Sequence, residues 1–379
     1  MARIIDVSEL DYAAHSLTRG GLVALPTETV YGLGGNALDE RAVQQIFEVK
    51  GRPSTDPLIC HVPDIQRAVG LWDSNADPAA LEVAKWIGDA IWPGPLTIVF
   101  RANSVLPPSV TGNSGYVGVR IPNHPIALQL LQLVNFPVAA PSANTFGHVS
   151  PTTAEHVLRD LGERCPSLLV IDGGHSNIGI ESTVLKVASA TKVEILRRGK
   201  VSLADLQQVI WKKFACHITV RDTRSCPGTV DMAMDGPGQL LTHYSPSVLS
   251  GMLTPKSTNC EVHQNELDKA VVELPSTPPL TGGVPLNQTV IIDFGGLLQR
   301  FQRVCLAYRD LSAEGEVQQA CFAVFEALRW SETVSGAGVV LFPLISEWPC
   351  KTGDEELLAA VEDRLFRAAS GKIANIRFG

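Results

Sequence analysis

Short apolar runs recur through the first 200 residues, at 21–25, 58–62, 96–100, 116–121, 137–140, 167–171, 181–187 and 192–196. Their length and β-branched content predict buried strands. Between them, helical spacing predicts helices at 39–50, 78–91, 124–133, 152–161 and 202–213. Thr152 and Glu155, just after Pro151, read as a capping box for the fourth of these. More strands than helices, with hairpin-like pairs near the end, predicts a mixed α/β sheet. Residues 214–247 lose all period, and their glycines, prolines and mixed charges read as a linker. A polar stretch follows over 251–287, then strands at 289–294, 304–308 and 337–342. Between the last two, GEVQQACFAVFEALR puts Val317, Cys321, Val324, Phe325 and Leu328 on one helical face. A final helix is predicted over 354–369. That order favours a small parallel, Rossmann-like sheet. The expected organisation is a domain at 1–213, a linker at 214–247 and a second domain at 248–379.

Composition narrows the class. A chain of 379 residues, 45% hydrophobic and 18% charged, is the size of two globular domains with real cores. No run approaches the ~18 apolar residues of a membrane helix. The start, MARIIDVSEL, has acids where a signal peptide is apolar, so a cytoplasmic location is expected. Eight cysteines include no CxxC pair, and CHITVRDTRSC matches no common zinc spacing, so free thiols are expected. The formal charge of −8 opposes strong nonspecific adhesion to nucleic acid.

Three segments carry candidate chemistry. PTETVYGLGGN (26–36) joins the apolar GLVAL to the helical DERAVQQIFEVK and reads as a glycine-rich loop. Gly32, Gly34 and Ala37 match G-x-G-x-x-A, but PTETVY intervenes where the dinucleotide fingerprint needs its glycines, and no P-loop lysine follows. A solvent loop using glycine for positive φ explains this segment equally well. Lys50 and Arg52 flank Gly51, a natural helix stop, with Pro53 beyond. The helix dipole accounts for Lys50 but not for Arg52, which lies past the helix. Two cations beside such a loop suit an anionic ligand. In PVAAPSANTFGHVSP (137–151), Ser142, Asn144 and Ser150 could cradle a phosphate or ribose. Turn formation and capping explain the same residues, and taken alone that reading is favoured.

The combination is more specific than its pieces. PTETVYGLG, KGR, PLICHV, WPGPLT, GVRIPNHP, PSAN and ESTV occur in the order seen in the YrdC/Sua5 family, over about 180 residues. Lys50 with Arg52, then Ser142 with Asn144, resemble that family's K-x-R…S-x-N signature. GPGQLLTHYSP (236–246) looks like the family's interdomain linker, and AAVEDRLFRAASG resembles the last helix of its C-terminal domain. The resemblance implies a YrdC-like twisted mixed sheet with helices, plus a smaller Rossmann-like α/β domain. It implies threonylcarbamoyl-AMP synthesis: L-threonine, bicarbonate or CO2, and ATP give threonylcarbamoyl adenylate and pyrophosphate. Downstream transferases then modify an adenosine beside the tRNA anticodon, with tRNA contact at most transient and no membrane involved.

Such a reaction needs no covalent nucleophile, so the protein's work is positioning and charge stabilisation. By the resemblance, Lys50 faces the carboxyl or carbonate group and Arg52 the phosphates. Arg120 binds the threonine carboxylate, which a bidentate fork suits. Thr29 and Ser182 hydrogen-bond the amino acid, Tyr31 walls the pocket, and His61 is assigned to threonine. A lone histidine on an apolar strand would otherwise read as core. Ser142, Asn144 and Ser150 hold the nucleotide, with Thr111 and Arg197 as further ATP contacts. Asp56, where the family more often has Asn, His or Lys, either weakens ATP binding or helps hold Mg2+. Arg198 stands where the family usually has proline. Tyr244 is expected to cover the adenylate, and Mg2+ to accompany ATP. The competing class is an RNA-binding module of the same fold without synthase activity, marked by salt-sensitive tRNA binding.

Overall fold

The structure is a computed structural model that describes residues 1–215, 217–220, 234–237, 240–258, 267, 269–275, 283–349 and 354–378. It divides into two compact units. The first comprises Met1–Phe146 and Ser150–Leu240; the second comprises Gly147–Val149 and Leu241–Gly379.

The first unit is built on a mixed sheet of eleven strands among the described residues. In spatial order these are Arg3–Ile5, Leu169–Ile171, Val23–Leu25, Gly32–Asn36, Val138–Ala139, Ile59–His61, Tyr116–Arg120, Leu96–Arg101, Thr183–Ser189, Lys192–Arg197 and His217–Val220. Parallel and antiparallel pairings are interspersed, as the strand-rich pattern predicts. Successive side chains of a strand point to opposite faces, and Leu22–Leu25 shows what that does here. Leu22 and Ala24 enter the core shared with Val43, Ile46, Phe47 and Ile87. Val23 and Leu25 enter a separate core with Leu10, Leu17, Leu130 and Leu131. The sheet is therefore covered on both sides.

Several sequence expectations change. The glycine-rich run is not a loop throughout: Gly32–Asn36 is a strand antiparallel to Val23–Leu25. Its glycines serve packing, since a Cβ on Gly34 would lie 2.9 Å from Val138 Cγ1 and 3.0 Å from both Leu25 Cδ2 and the Val23 carbonyl oxygen. That placement removes the dinucleotide reading. Within the expected linker, His217–Val220 forms an edge strand on Lys192–Arg197, and residues 234–237 belong to the first unit. Residues 221–233 and 238–239 lie outside the described ones. Thr153, not Thr152, caps helix Ala154–Leu161, accepting from the His156 N–H. Thr152 instead faces the His156 ring.

In the second unit, Ser250–Leu253, Val339–Pro343, Thr289–Asp293 and Ala307–Asp310 form a parallel sheet in that order. Val317, Cys321, Val324, Phe325 and Leu328 are buried on helix Val317–Thr333, as their spacing predicts. The Rossmann-like expectation is met in strand direction but not in connection. The chain passes from Asp293 to Ala307 through a single 3-10 turn, Gln299–Phe301, where a helix would be usual. The polar stretch hides strands at Ser250–Leu253, Val271–Glu273 and Val284–Pro285. The last two pair with Asn375–Arg377 in a small antiparallel sheet. Cys60, Cys165, Cys305 and Cys321 are free thiols; Cys216 and Cys226, the suspected cluster, lie outside the described residues.

Candidate active site

Helix Glu40–Lys50 opens with Asp39 accepting from the Arg41 N–H and closes on Gly51 at φ 65°, ψ 30°. Lys50 lies on the helix's buried stripe with Val43, Ile46 and Phe47, and the left-handed stop turns the following Arg52 back into the protein. Lys50 Nζ donates to the Ser142 and Asn144 carbonyl oxygens, both at 2.6 Å. Two of the three ammonium donors are thus used, and one remains for a ligand. Burial pushes the Lys50 pKa well below its usual value, and the neighbouring Arg52 charge adds to the effect. An arriving anion would restore the charged form.

Arg52 is held inside its own turn. It donates from Nε to the Asp56 carbonyl at 3.0 Å and from Nη2 to the Pro57 carbonyl at 2.9 Å. Nη2 also lies 2.9 Å from Asp56 Oδ1, an ion pair almost sealed from solvent. Burial pushes the Asp56 carboxyl up, against the pull of Arg52, Lys50 and Arg197. Arg52 is thus paired with a buried carboxylate that also feels the Lys50 and Arg197 charges. Thr111 comes to the same turn, because Gly112 packs so closely that a Cβ there would lie 2.7 Å from the Thr55 carbonyl oxygen. Its own hydroxyl caps the Pro108 carbonyl.

A second cluster lies where four strands end together. His61 and Arg120 are register partners on adjacent parallel strands. Arg120 Nη1 donates to Thr29 Oγ1 at 2.8 Å, Nε reaches the Gly94 carbonyl at 3.3 Å, and Nη2 lies 2.6 Å from Glu28 Oε1. Thr29 also shares a 2.9 Å bond with Thr27. Ser182 Oγ lies 2.8 Å from Thr97 Oγ1, and Arg197 donates to both the Ser182 carbonyl and its hydroxyl. Arg197 thus braces Ser182, a role not foreseen in its assignment to ATP. His61 is buried with Nδ1 lacking a hydrogen-bond partner. Burial, and then the Arg120 charge, lower its pKa to about 3, so the ring is neutral.

The two clusters are stitched together by backbone. The Leu33 N–H donates to the Pro141 carbonyl, the Ala143 N–H to Tyr31, and the Phe146 N–H to Lys50. Tyr31, expected as a pocket wall, is fully buried and its hydroxyl is engaged by the Gly173–Gly174 turn. Ser150 Oγ donates to Glu181 at 2.5 Å. Asn144 donates from Nδ2 to the Thr145 carbonyl. Tyr244 belongs to the second unit, where its buried ring packs on His243 and Phe325 with the Arg364 guanidinium over it.

Sequence reading missed Glu28, Thr97 and Glu181. Glu28 and Glu181 sit in the PTETV and ESTV motifs. An acid followed directly by a hydroxyl residue was the available signal.

Two family models match in tandem. One, described as telomere recombination and spanning Sua5, YciO and YrdC proteins, covers residues 15–199. The other, described as the threonylcarbamoyl-AMP synthase C-terminal domain, covers residues 201–370. The chain is 41% identical over 256 residues to a threonylcarbamoyl-AMP synthase of Pyrococcus abyssi, covering 65% of this chain and 70% of that one. It is 40% identical over 242 residues to the Bacillus subtilis protein of that name, covering 63% and 65%. Its structure matches the crystal structure of P. abyssi Sua5 complexed with L-threonine at a TM-score of 0.77 and 30% identity, over 98% of both chains.

Proposed function

The chain belongs to the two-domain Sua5 family of threonylcarbamoyl-AMP synthases, and from that premise we infer that it condenses L-threonine, bicarbonate or CO2, and ATP into threonylcarbamoyl-AMP and pyrophosphate. The product serves tRNA modification, through downstream transferases that accept the threonylcarbamoyl group. The observation that carries this reading is the buried Lys50 on the Ser142 and Asn144 carbonyls beside the Arg52–Asp56 pair, joined through the backbone to the Arg120–Thr29 pocket.

In this reading threonine places its carboxylate on Arg120 and its polar groups near Thr29 and Ser182. Its neutral amine adds to CO2 and loses a proton, giving an N-carboxylate. That carboxylate attacks the α-phosphorus of ATP, and the bond to pyrophosphate breaks. Lys50 and Arg52 stabilise the charge that gathers between carboxylate and phosphates, while Ser142, Asn144 and Ser150 fix the nucleotide.

Mg2+ would travel with the triphosphate. Among the described residues no group of three or more His, Cys, Asp or Glu could hold a metal. Asp56, one candidate ligand, faces Arg52 instead. The residues do not form a metal cage, and no step is assigned to one. No described helix is long and apolar enough to cross a membrane; we place the reaction in the cytoplasm.

The test is mass spectrometry of products formed with isotopically labelled bicarbonate. Label in a threonine-containing adenylate, with one pyrophosphate released per product, is expected. Absence of both, alongside tight and salt-sensitive tRNA binding, would turn the reading to an RNA-binding module.

A further inference from the structure

Arg120 meets two neighbouring residues of the PTETV segment at once, all within the first unit. Thr27 shapes that segment into a turn, its hydroxyl accepting from the Thr29 and Val30 N–H groups at 3.2 Å. The Glu28 carbonyl accepts from the Ile178 N–H at 2.8 Å and so ties the turn to a second loop. Glu28 and Thr29 both reach the guanidinium. Nη1 donates to Thr29 Oγ1, Nε to the Gly94 carbonyl, and Nη2 lies 2.6 Å from Glu28 Oε1. Of the five guanidinium N–H groups, one on Nη1 and both on Nη2 are left without an aligned acceptor.

Glu28 is in the same condition. Its side chain is 7% exposed, and neither carboxylate oxygen has a hydrogen bond of proper geometry. Two histidines flank the pair: His61, the register partner of Arg120, and His124, which feels the Glu28 charge. Burial lowers the pKa of both, so at neutral pH Arg120 is the cation that Glu28 has among them. Buried charged groups are ordinarily satisfied, and a pair with open valences on both members calls for a ligand that completes both.

Charge counting then selects the ligand. A lone carboxylate on Arg120 would displace Glu28 and strand it in a buried site. A lone amine would set two cations on one carboxylate. A zwitterion does neither, because its carboxylate takes the open N–H groups of Arg120 while its ammonium takes Glu28.

We propose that Glu28 is the specificity-determining residue for the substrate's α-ammonium group: it pairs with Arg120 before substrate arrives and exchanges onto the ammonium when the substrate carboxylate takes its place. This rests on reading Arg120 as the threonine carboxylate site. Glu28 thereby admits amino acids and turns away hydroxy acids and amino alcohols.

The full-length wild type and Glu28→Gln are titrated by calorimetry with three probes. These are L-threonine, (R)-3-hydroxybutyrate, which is threonine without its amine, and L-threoninol, which has an alcohol in place of the carboxylate. In Glu28→Gln, threonine should weaken by roughly tenfold to a hundredfold, as for loss of a charge-assisted hydrogen bond, and threoninol by at least as much. Hydroxybutyrate should instead tighten by about tenfold, because no carboxylate is left stranded. Unchanged threonine affinity, or equal losses of threonine and hydroxybutyrate as from a merely structural role, would overturn the proposal.

If Glu28→Gln does not fold, the wild type decides, titrated at neutral pH in buffers of different ionisation enthalpy. Hydroxybutyrate should bind with proton uptake by the stranded Glu28, and threonine with none; equal uptake for both would overturn the exchange. A wild type that discriminates among the probes as expected, yet makes no threonylcarbamoyl-AMP, would sink the functional reading and leave the role of Glu28 intact. One that makes the adenylate while Glu28→Gln shows no inversion would sink this proposal alone.

Discussion

Glu28 and Arg120 meet at 2.6 Å in a pocket where both side chains are almost wholly enclosed. Neither Glu28 oxygen finds a hydrogen-bond partner of proper geometry, so the contact is chiefly coulombic. Removing one partner of a buried pair strands the other charge, at a cost of roughly 3–5 kcal/mol. Glu28→Ala should therefore lower urea-unfolding stability by about that much, and Glu28→Gln by clearly less. Equal, small losses from both would mean that the Arg120 charge is well solvated.

Lys50→Met should cut threonylcarbamoyl-AMP formation by more than tenfold, as should Arg52→Ala. The fold should survive with a loss of about 1–3 kcal/mol for Lys50→Met, because the Ser142 and Asn144 carbonyls lose a charged donor. Steady-state kinetics with thermal unfolding separates the two effects. A normal rate in both variants would displace these cations from the chemistry.

His61 gives the first unit a pH signature. Its pKa falls from 6.5 to about 3 on folding. Between those values the unfolded chain binds a proton that the folded protein refuses, so stability drops as pH falls through that window, by a few kcal/mol at its lower end. Asp293 in the second unit acts with opposite sign. Burial raises its pKa from 3.8 to about 6, so its contribution is full below 3.8 and lost as pH rises through 6. His61→Gln should flatten the acid limb of denaturant midpoint against pH. By NMR the His61 ring should not titrate above pH 4 or so; titration near 6.5 would show that the ring is wet.

Gly34→Ala should destabilise the first unit by about 1–3 kcal/mol through overpacking. Its new methyl would press on Val138, Leu25 and the Val23 carbonyl at 2.9–3.0 Å. A neutral effect on the chemical-denaturation midpoint would return the glycine run to the status of a plain connector.

The fold was legible where apolar runs were continuous. Leu96–Arg101 and Thr183–Ser189 announce themselves, and Val317–Thr333 shows its buried stripe at helical spacing. Gly32–Asn36 did not, because a strand made largely of glycine has no side chains to alternate and shows its role only beside Val138 and Leu25. His217–Val220 was hidden by the aperiodic sequence that follows it. At the site, the ordered motifs put Lys50 beside Ser142 and Asn144, while Arg120 lies in the separate cluster with Thr29 and Glu28. Glu28, Thr97 and Glu181 escaped because their partners are distant in sequence: Glu181 meets Ser150 only after folding, and Thr97 meets Ser182. The engagement of the Tyr31 hydroxyl by the Gly173–Gly174 turn was likewise hidden, since the two are far apart in sequence.

The Asp56 carboxylate paired with Arg52 has a bearing on turnover in the proposed reaction. A bare guanidinium would clutch pyrophosphate as firmly as the triphosphate it came from, and the finished product would be slow to leave. With Asp56 beside it that grip would be diluted, and Arg52 would return to its resident counter-ion once the phosphates depart.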